Sequence, residues 1–290
     1  MQLETLLANI AQHSNLVDAY GATHLPIYNT ATFDQKRQFP NNKNYDYSRT
    51  DNPTRNALED IFALAENGAG CVCTNTGVSA LALLFDTVLK SGDTIIVERD
   101  CYGVAYRLLN ILLEKYEVKT CYADFTDLSE VEIALQQNEV KLILCESPTN
   151  PSLKIVDLKS VAELSKKHNT LFAVDNSMAT FASQKPLDLG ADFSLFSATK
   201  FISGHGSVVA GAIVAKTEHW SERLNYFSNA HGRAQSPFDV FLVSLGLPTL
   251  VYRMKTQEQS AIQLSEFLNT LSDVIDVKFP GLPSHPQYEL

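Results

Sequence analysis

The chain has 290 residues, 45% hydrophobic and 19% charged, enough for one large or two ordinary domains around a well-filled core. A formal net charge of −10 with no cluster of Lys or Arg excludes a basic nucleic-acid-binding surface, and no apolar run approaches the length of a membrane span. The five cysteines, Cys71, Cys73, Cys101, Cys121 and Cys145, show neither CxxC spacing nor a nearby histidine partner. They read as reduced thiols of a cytoplasmic protein, and no metal site is expected.

Residues 1–16 contain Glu4 and His13 but no basic stretch followed by an apolar core, so no signal peptide is expected. Up to about residue 45 periodicity is poor. Pro26, Pro40 and the polar run Asn41-Asn42-Lys43-Asn44 read as an extended arm. A helix is predicted to begin at Pro53-Thr54, to run through Ala57-Leu58 and Ile61-Phe62, and to close at Gly68. Strands and helices then alternate: strand Cys71-Val72-Cys73, helix 77–89, strand 94–97, helix 104–116 and strand 118–122. Asp127-Leu128-Ser129-Glu130 is a capping box opening a helix to about Gln137. Strands 142–145 and 171–174 follow, separated by a helix capped at Asp157, and then strand-like runs at 193–196 and 208–215. From about residue 242 the chain is mainly helical, with a long helix over 252–271 before a strand-like run at 274–279.

These apolar runs are continuous rather than alternating, so both faces of each strand are covered. That is the mark of a mostly parallel sheet between helices. The expected fold is α/β with a doubly wound sheet, and a second, smaller domain begins near the end of the chain.

Four stretches can carry chemistry. Ser197-Ala198-Thr199-Lys200-Phe201-Ile202-Ser203-Gly204-His205-Gly206 opens from an apolar strand into a glycine-rich loop. Lys200 there is either an ordinary solvated lysine or an amine able to form a Schiff base. Thr74-Asn75-Thr76-Gly77-Val78-Ser79 joins a strand to a helix start, which serves as a plain N-cap or as a phosphate cradle. Val174-Asp175-Asn176-Ser177 sets a carboxylate at a strand end, where it caps the next element or faces a cationic heterocyclic nitrogen. Asp100-Cys101-Tyr102-Gly103 sets an aromatic ring at another strand end, as a wall or as a platform for a flat cofactor.

Together with Tyr47-Ser48-Arg49, Asn52-Pro53-Thr54 and Glu146-Ser147-Pro148-Thr149-Asn150-Pro151, these stretches form an ordered set. The set resembles the Cys/Met-metabolism family of pyridoxal phosphate (PLP) enzymes over nearly the whole chain. The resemblance implies the type I fold of PLP-dependent transferases, with a mostly parallel central sheet and helices on both faces. It also implies an arm (1–45) contacting a partner subunit, a PLP-binding α/β domain (46–241), and an incomplete C-terminal α+β domain (242–290). By the same resemblance Lys200 carries the cofactor as a Schiff base and shuttles protons, Asp175 holds the ring nitrogen protonated, and Tyr102 stacks on the ring. Gly77 and Val78 amides with the Ser197 and Thr199 hydroxyls take the phosphate. Tyr47 and Arg49 reach the phosphate of a neighbouring subunit. Asn150 lies near the cofactor hydroxyl and the substrate carboxylate, Ser177 keeps a hydroxyl beside Asp175, and Asp46 and Arg107 line the acyl side of the substrate. A homodimer is the implied minimal unit and a homotetramer the implied assembly, acting on a small amino-acid substrate.

The motifs are most similar to the branch that joins an O-acyl-homoserine to cysteine by γ-replacement, giving cystathionine. γ-Lyase, β-lyase and sulfhydrylase activities share the same core. The chain departs from the family at Val104 and Ala105, where a Gly and a Thr or Ser are usual, at Ser207 in place of an Asp, and at Ser177 in place of a Thr. The family's arginine for the substrate α-carboxylate falls beyond Leu290, so a non-catalytic PLP-binding remnant is the alternative expectation.

Overall fold

The computed structural model describes residues 1–16, 18, 20–37 and 44–290. Of the expected extended arm, Pro40 and Asn41-Asn42-Lys43 lie outside the described residues, and its beginning is not extended: Leu3–Ala8 and Ile10–His13 are helical and bury Leu6, Leu7 and Ile10. The strands are β1 (Gly70–Thr74), β2 (Thr94–Glu98), β3 (Lys119–Ala123), β4 (Val140–Glu146), β5 (Leu171–Asp175), β6 (Phe193–Phe196) and β7 (Gly211–Ala215). The chain divides into two compact units, one of Met1–Thr87 with Phe193–Leu250, the other of Val88–Asp192 with Val251–Leu290.

In the first unit β7 pairs antiparallel with both β1 and β6. Residues of β6 and β7 are buried along their whole length, as the continuous apolar pattern requires. The helix Pro53–Glu66 starts where its sequence says it should. The Asn52 side chain accepts from the Thr54 amide at 3.0 Å, and Pro53 occupies the first turn, where its missing N–H costs nothing. Its buried face, Ala57, Leu58, Ile61 and Phe62, has helical spacing, and the Phe62 ring meets Phe196 edge-on with centroids 5.9 Å apart. Full burial of one such side chain stabilises by about 1.5–3 kcal/mol. The helix does not close at Gly68. Asn67 takes the left-handed turn (φ 56°), and the Gly68 amide bonds the Ala63 carbonyl at 2.9 Å. An asparagine tolerates that conformation, so the stop falls one residue early.

Strand β7 begins at Gly211, three residues later than expected. Thr199 Oγ1 donates to the Ala210 carbonyl at 3.0 Å and accepts from its amide at 2.9 Å, leaving Ala210 no groups for the ladder. Beside it, a Cβ on Gly211 would lie 2.1 Å from the Thr76 carbonyl oxygen and 2.7 Å from the Gly77 nitrogen. Both are backbone atoms that cannot swing aside. Gly211→Ala is therefore expected to destabilise the protein by about 3 kcal/mol, read from chemical denaturation at constant m-value. An unchanged midpoint would contradict that packing.

The second unit is built on a parallel ladder in the order β3-β2-β4-β5. Helices Gly103–Tyr116, Leu128–Gln137 and Leu158–Lys167 connect its strands. Asp157 caps the last of these by accepting from the Ser160 amide at 3.1 Å. The expected capping box at 127–130 is only half made. Asp127 accepts from the Ser129 amide, but Glu130 accepts from the Asp124 amide and pairs with Arg99 instead of returning to residue 127. The predicted long helix runs over Leu250–Leu268. Residues 274–279 form no strand. Ile275 is fully exposed, and no strand among the described residues pairs with the segment.

Both units combine helices with strands, but the expected parallel ladder belongs to the second, while β7 of the first runs antiparallel to both its neighbours. All five cysteines are free thiols and four of them are buried. Among the described residues no helix is long and apolar enough to cross a membrane.

Candidate active site

The parallel ladder of the second unit sets three acidic side chains at the carboxyl ends of adjacent strands: Glu98 on β2, Glu146 on β4 and Asp175 on β5. Clefts at these ends are where open α/β sheets place ligands. Register aligns Glu146 directly beside Asp175. Glu98 is fully buried and accepts from the Asp100 amide at 3.0 Å and the Phe125 amide at 2.8 Å. Burial pushes its pKa up against those bonds. Asp175 Oδ1 accepts from the Ser177 amide at 3.0 Å, and desolvation by the surrounding protein raises its pKa. Glu146 is raised to about 8, first by desolvation and next by the Asp175 charge, against the pull of the Tyr102 and Asn150 amides. Two carboxyls so placed hold protons that isolated ones would release.

Tyr102 immediately precedes the helix Gly103–Tyr116, and its amide donates to Glu146 Oε2 at 2.8 Å. Its side chain stays 44% exposed, so one ring face can receive a ligand. Asn176 is fully buried and tied to Gln184, whose amide in turn bonds the Ser147 carbonyl. This anchors the Asp175 strand end to the loop leading to Asn150. Lys154 bonds Asp100 at 2.9 Å and Asp124 at 2.7 Å, which holds Asp124 at about 2. Arg107 is exposed on the helix after Tyr102.

In the first unit β1 leads into the helix Gly77–Val88 through a turn in which Thr74 Oγ1 donates to the Thr76 carbonyl, and Thr76 Oγ1 accepts from the Ser79 amide at 2.9 Å. A Cβ on Gly77 would lie 2.8 Å from Ser197 Cβ, so only glycine lets the helix start approach Ser197 this closely. Gly77, Val78 and Ser197 are thereby brought together. Thr199 is committed to Ala210 as described. Lys200 is exposed, its amide bonded to the Ser197 carbonyl at 3.1 Å. The loop beyond it turns through Gly204 (φ 69°) and Gly206 (φ 64°).

Elsewhere in that unit Arg49 lies over the Tyr47 ring, its guanidinium carbon 5.4 Å from the centroid, and also bonds the Asn229 carbonyl at 2.9 Å. Buried Arg55 bonds the Ser48 and Thr50 carbonyls, which presents Tyr47 and Arg49 outward. Asp46 Oδ1 accepts from Gln35 Nε2 at 3.1 Å. Among the described residues no group of His, Cys, Asp and Glu could hold a metal ion.

An aldehyde-bearing, phosphorylated pyridine needs an anion cradle, a reachable amine and an acid for its ring nitrogen. In the first unit the glycine-only approach at Gly77 and the exposed Lys200 are of the kind that suits the phosphate and aldehyde of such a group. In the second the strand-end Asp175 is of the kind that suits its ring nitrogen, and the class with such residues is the PLP-dependent enzymes of α/β fold. The sequence comparison is more specific. Residues 4–290 match the Cys/Met metabolism PLP-dependent enzyme family, and the chain belongs to it.

The chain is 39% identical over 272 residues to the cystathionine gamma-synthase of Mycobacterium leprae, covering 94% of this chain and 70% of that protein. It is equally 39% identical over 272 residues to the cystathionine beta-lyase of Coxiella burnetii, covering 93% and 70%. The structure of the Xanthomonas oryzae pv. oryzae cystathionine gamma synthase in complex with cystathionine superposes with a TM-score of 0.94 at 41% identity, over 100% of this chain and 74% of that one. Over its whole length the chain therefore has the fold of these PLP-dependent enzymes.

One residue of consequence, Glu146, stood in a sequence motif without a role. A carboxylate closing an apolar strand, as at Asp175, was the signal that could have singled it out.

Proposed function

We propose that the chain catalyses γ-replacement on an O-acyl-homoserine with cysteine, releasing the acyl group and forming cystathionine. The observation that carries this reading is the match, over the whole chain, to a synthase solved with cystathionine bound. When bound, PLP supplies an electron sink for negative charge at the substrate carbons.

The protein's own residues do the rest. Lys200 would hold the aldehyde and, on its flexible stem, would move protons at the substrate Cα and Cβ. Asp175, fastened by Ser177, would keep a proton at the ring nitrogen, and Tyr102 would offer its ring as a stacking surface. Gly77 and Val78 amides with the Ser197 and Thr199 hydroxyls take the phosphate; for Thr199 this means turning its proton away from Ala210. Asn150 serves the cofactor hydroxyl and the substrate carboxylate, and Asp46 and Arg107 line the acyl side. Tyr47 and Arg49, presented outward, complete the phosphate site of a partner subunit. A homodimer is then the smallest active unit, within a cytoplasmic homotetramer. On this reading residues 1–45 form the arm towards the partner, 46–241 the cofactor domain and 242–290 the start of the C-terminal domain.

Given PLP, an O-acyl-homoserine and cysteine, the chain is expected to form cystathionine with little 2-oxobutyrate, measured by mass spectrometry. The equal identity to a cystathionine beta-lyase favours β-elimination as the second reading. Pyruvate release from added cystathionine without any synthesis would put that reading first.

A further inference from the structure

We propose that Glu146 is a positioning residue of the site, one carboxyl that holds the Tyr102 backbone amide and faces the Asn150 amide beside Asp175. The inference deepens the proposed function and rests on the roles given there to Tyr102, Asn150 and Asp175.

Glu146 ends β4 and stands in register with Asp175 at the end of β5. Its Oε2 accepts from the Tyr102 amide at 2.8 Å, and the Asn150 amide faces the same carboxyl closely enough to draw its pKa down. It thus touches the loop after β2, the loop after its own strand and the neighbouring strand end, each of which bears a residue assigned to the cofactor. The side chain is 9% exposed, so water does not readily replace it. Only a carboxyl offers two acceptor oxygens in this geometry. Glutamine offers one, and its NH₂ would face an amide N–H; alanine offers none.

The loop bearing Tyr102 is already fastened at Asp100, through Lys154 and through the Glu98 acceptor. Loss of Glu146 therefore frees the last residue of the loop without unfolding it. A ring displaced by about 1 Å from its stacking position loses catalytic power out of proportion to the stability lost.

The test uses Glu146→Gln and Glu146→Ala in the full chain. In the cofactor-free protein, hydrogen exchange at the Tyr102 and Asn150 amides is expected to quicken at least about tenfold, while amides inside the helix Leu158–Lys167 keep their protection. After loading with PLP, borohydride should still fix one cofactor per chain, because Lys200 is untouched. The visible circular dichroism of the bound cofactor should fall at least about twofold, and kcat about 10–100-fold with KM within about threefold. Unchanged exchange at both amides together with an unchanged dichroic band would overturn the proposal. If Glu146→Ala does not fold, Glu146→Gln decides alone. A wild-type chain that takes up no cofactor would overturn the site roles beneath it instead.

Discussion

Lys200→Ala is expected to abolish covalent attachment of the cofactor and to lower turnover by at least about a thousandfold, since on the proposed reading one amine serves both as anchor and as proton carrier. The loop around it does not depend on that side chain. The Ser203 amide bonds the Ala198 carbonyl at 3.0 Å, the Gly204 amide bonds the Lys200 carbonyl at 2.9 Å, and Ser203 Oγ donates to the Thr199 carbonyl at 3.0 Å. Lys200 itself is exposed, so its truncation should move stability by no more than about 0.5 kcal/mol. Intact mass after borohydride reduction separates the outcomes. The wild type gains one reduced cofactor per chain and the variant none. A variant that still gained it would show that another amine carries the cofactor.

Asp175→Ala should retain bound colour but lose about a hundred- to a thousandfold in kcat, the usual scale for deleting one preorganised charge at a reacting group. Near-normal turnover would contradict its proposed place at the ring nitrogen. The same variant has a signature that requires no cofactor. Glu146, raised to about 8 by burial and by Asp175, loses the second of those causes, so its pKa should fall towards but not to the ordinary 4.5. The linkage has a definite sign. Both carboxyls bind protons more tightly folded than unfolded, so their contribution to stability is greatest below the ordinary carboxyl range and is lost as pH rises towards 8. Removing Asp175 should flatten that decline, measured as the pH dependence of the denaturation midpoint.

The two units bear on function differently. In the first, close backbone approach is the device. Gly211 and Gly77 let the helix start, Ser197 and the Thr76 turn crowd together with no side chain between them. In the second, electrostatics is the device, with Glu146 and Asp175 side by side in register and Glu98 and Glu146 buried.

Local sequence determined much of this. Mainly apolar runs marked strands such as β2, β5 and β7, and Asn52-Pro53 and Asp157 marked helix starts, because propensity and capping act within a few residues. Lys200, Asp175 and Tyr102 stood out locally as polar groups at or shortly after strands, but each kept two readings until the family resemblance gave it a role. What only the tertiary structure decided depends on partners distant in sequence. Ala210 is withheld from β7 by Thr199, Glu130 turns from its own helix to Asp124 and Arg99, and residues 274–279 stay unpaired. Above all, Glu146 gains its meaning from the β4–β5 register and from the return of the Tyr102 amide. Strand register and loop return are chosen by long-range packing against the entropy of closing the chain, and a short window of residues holds neither term.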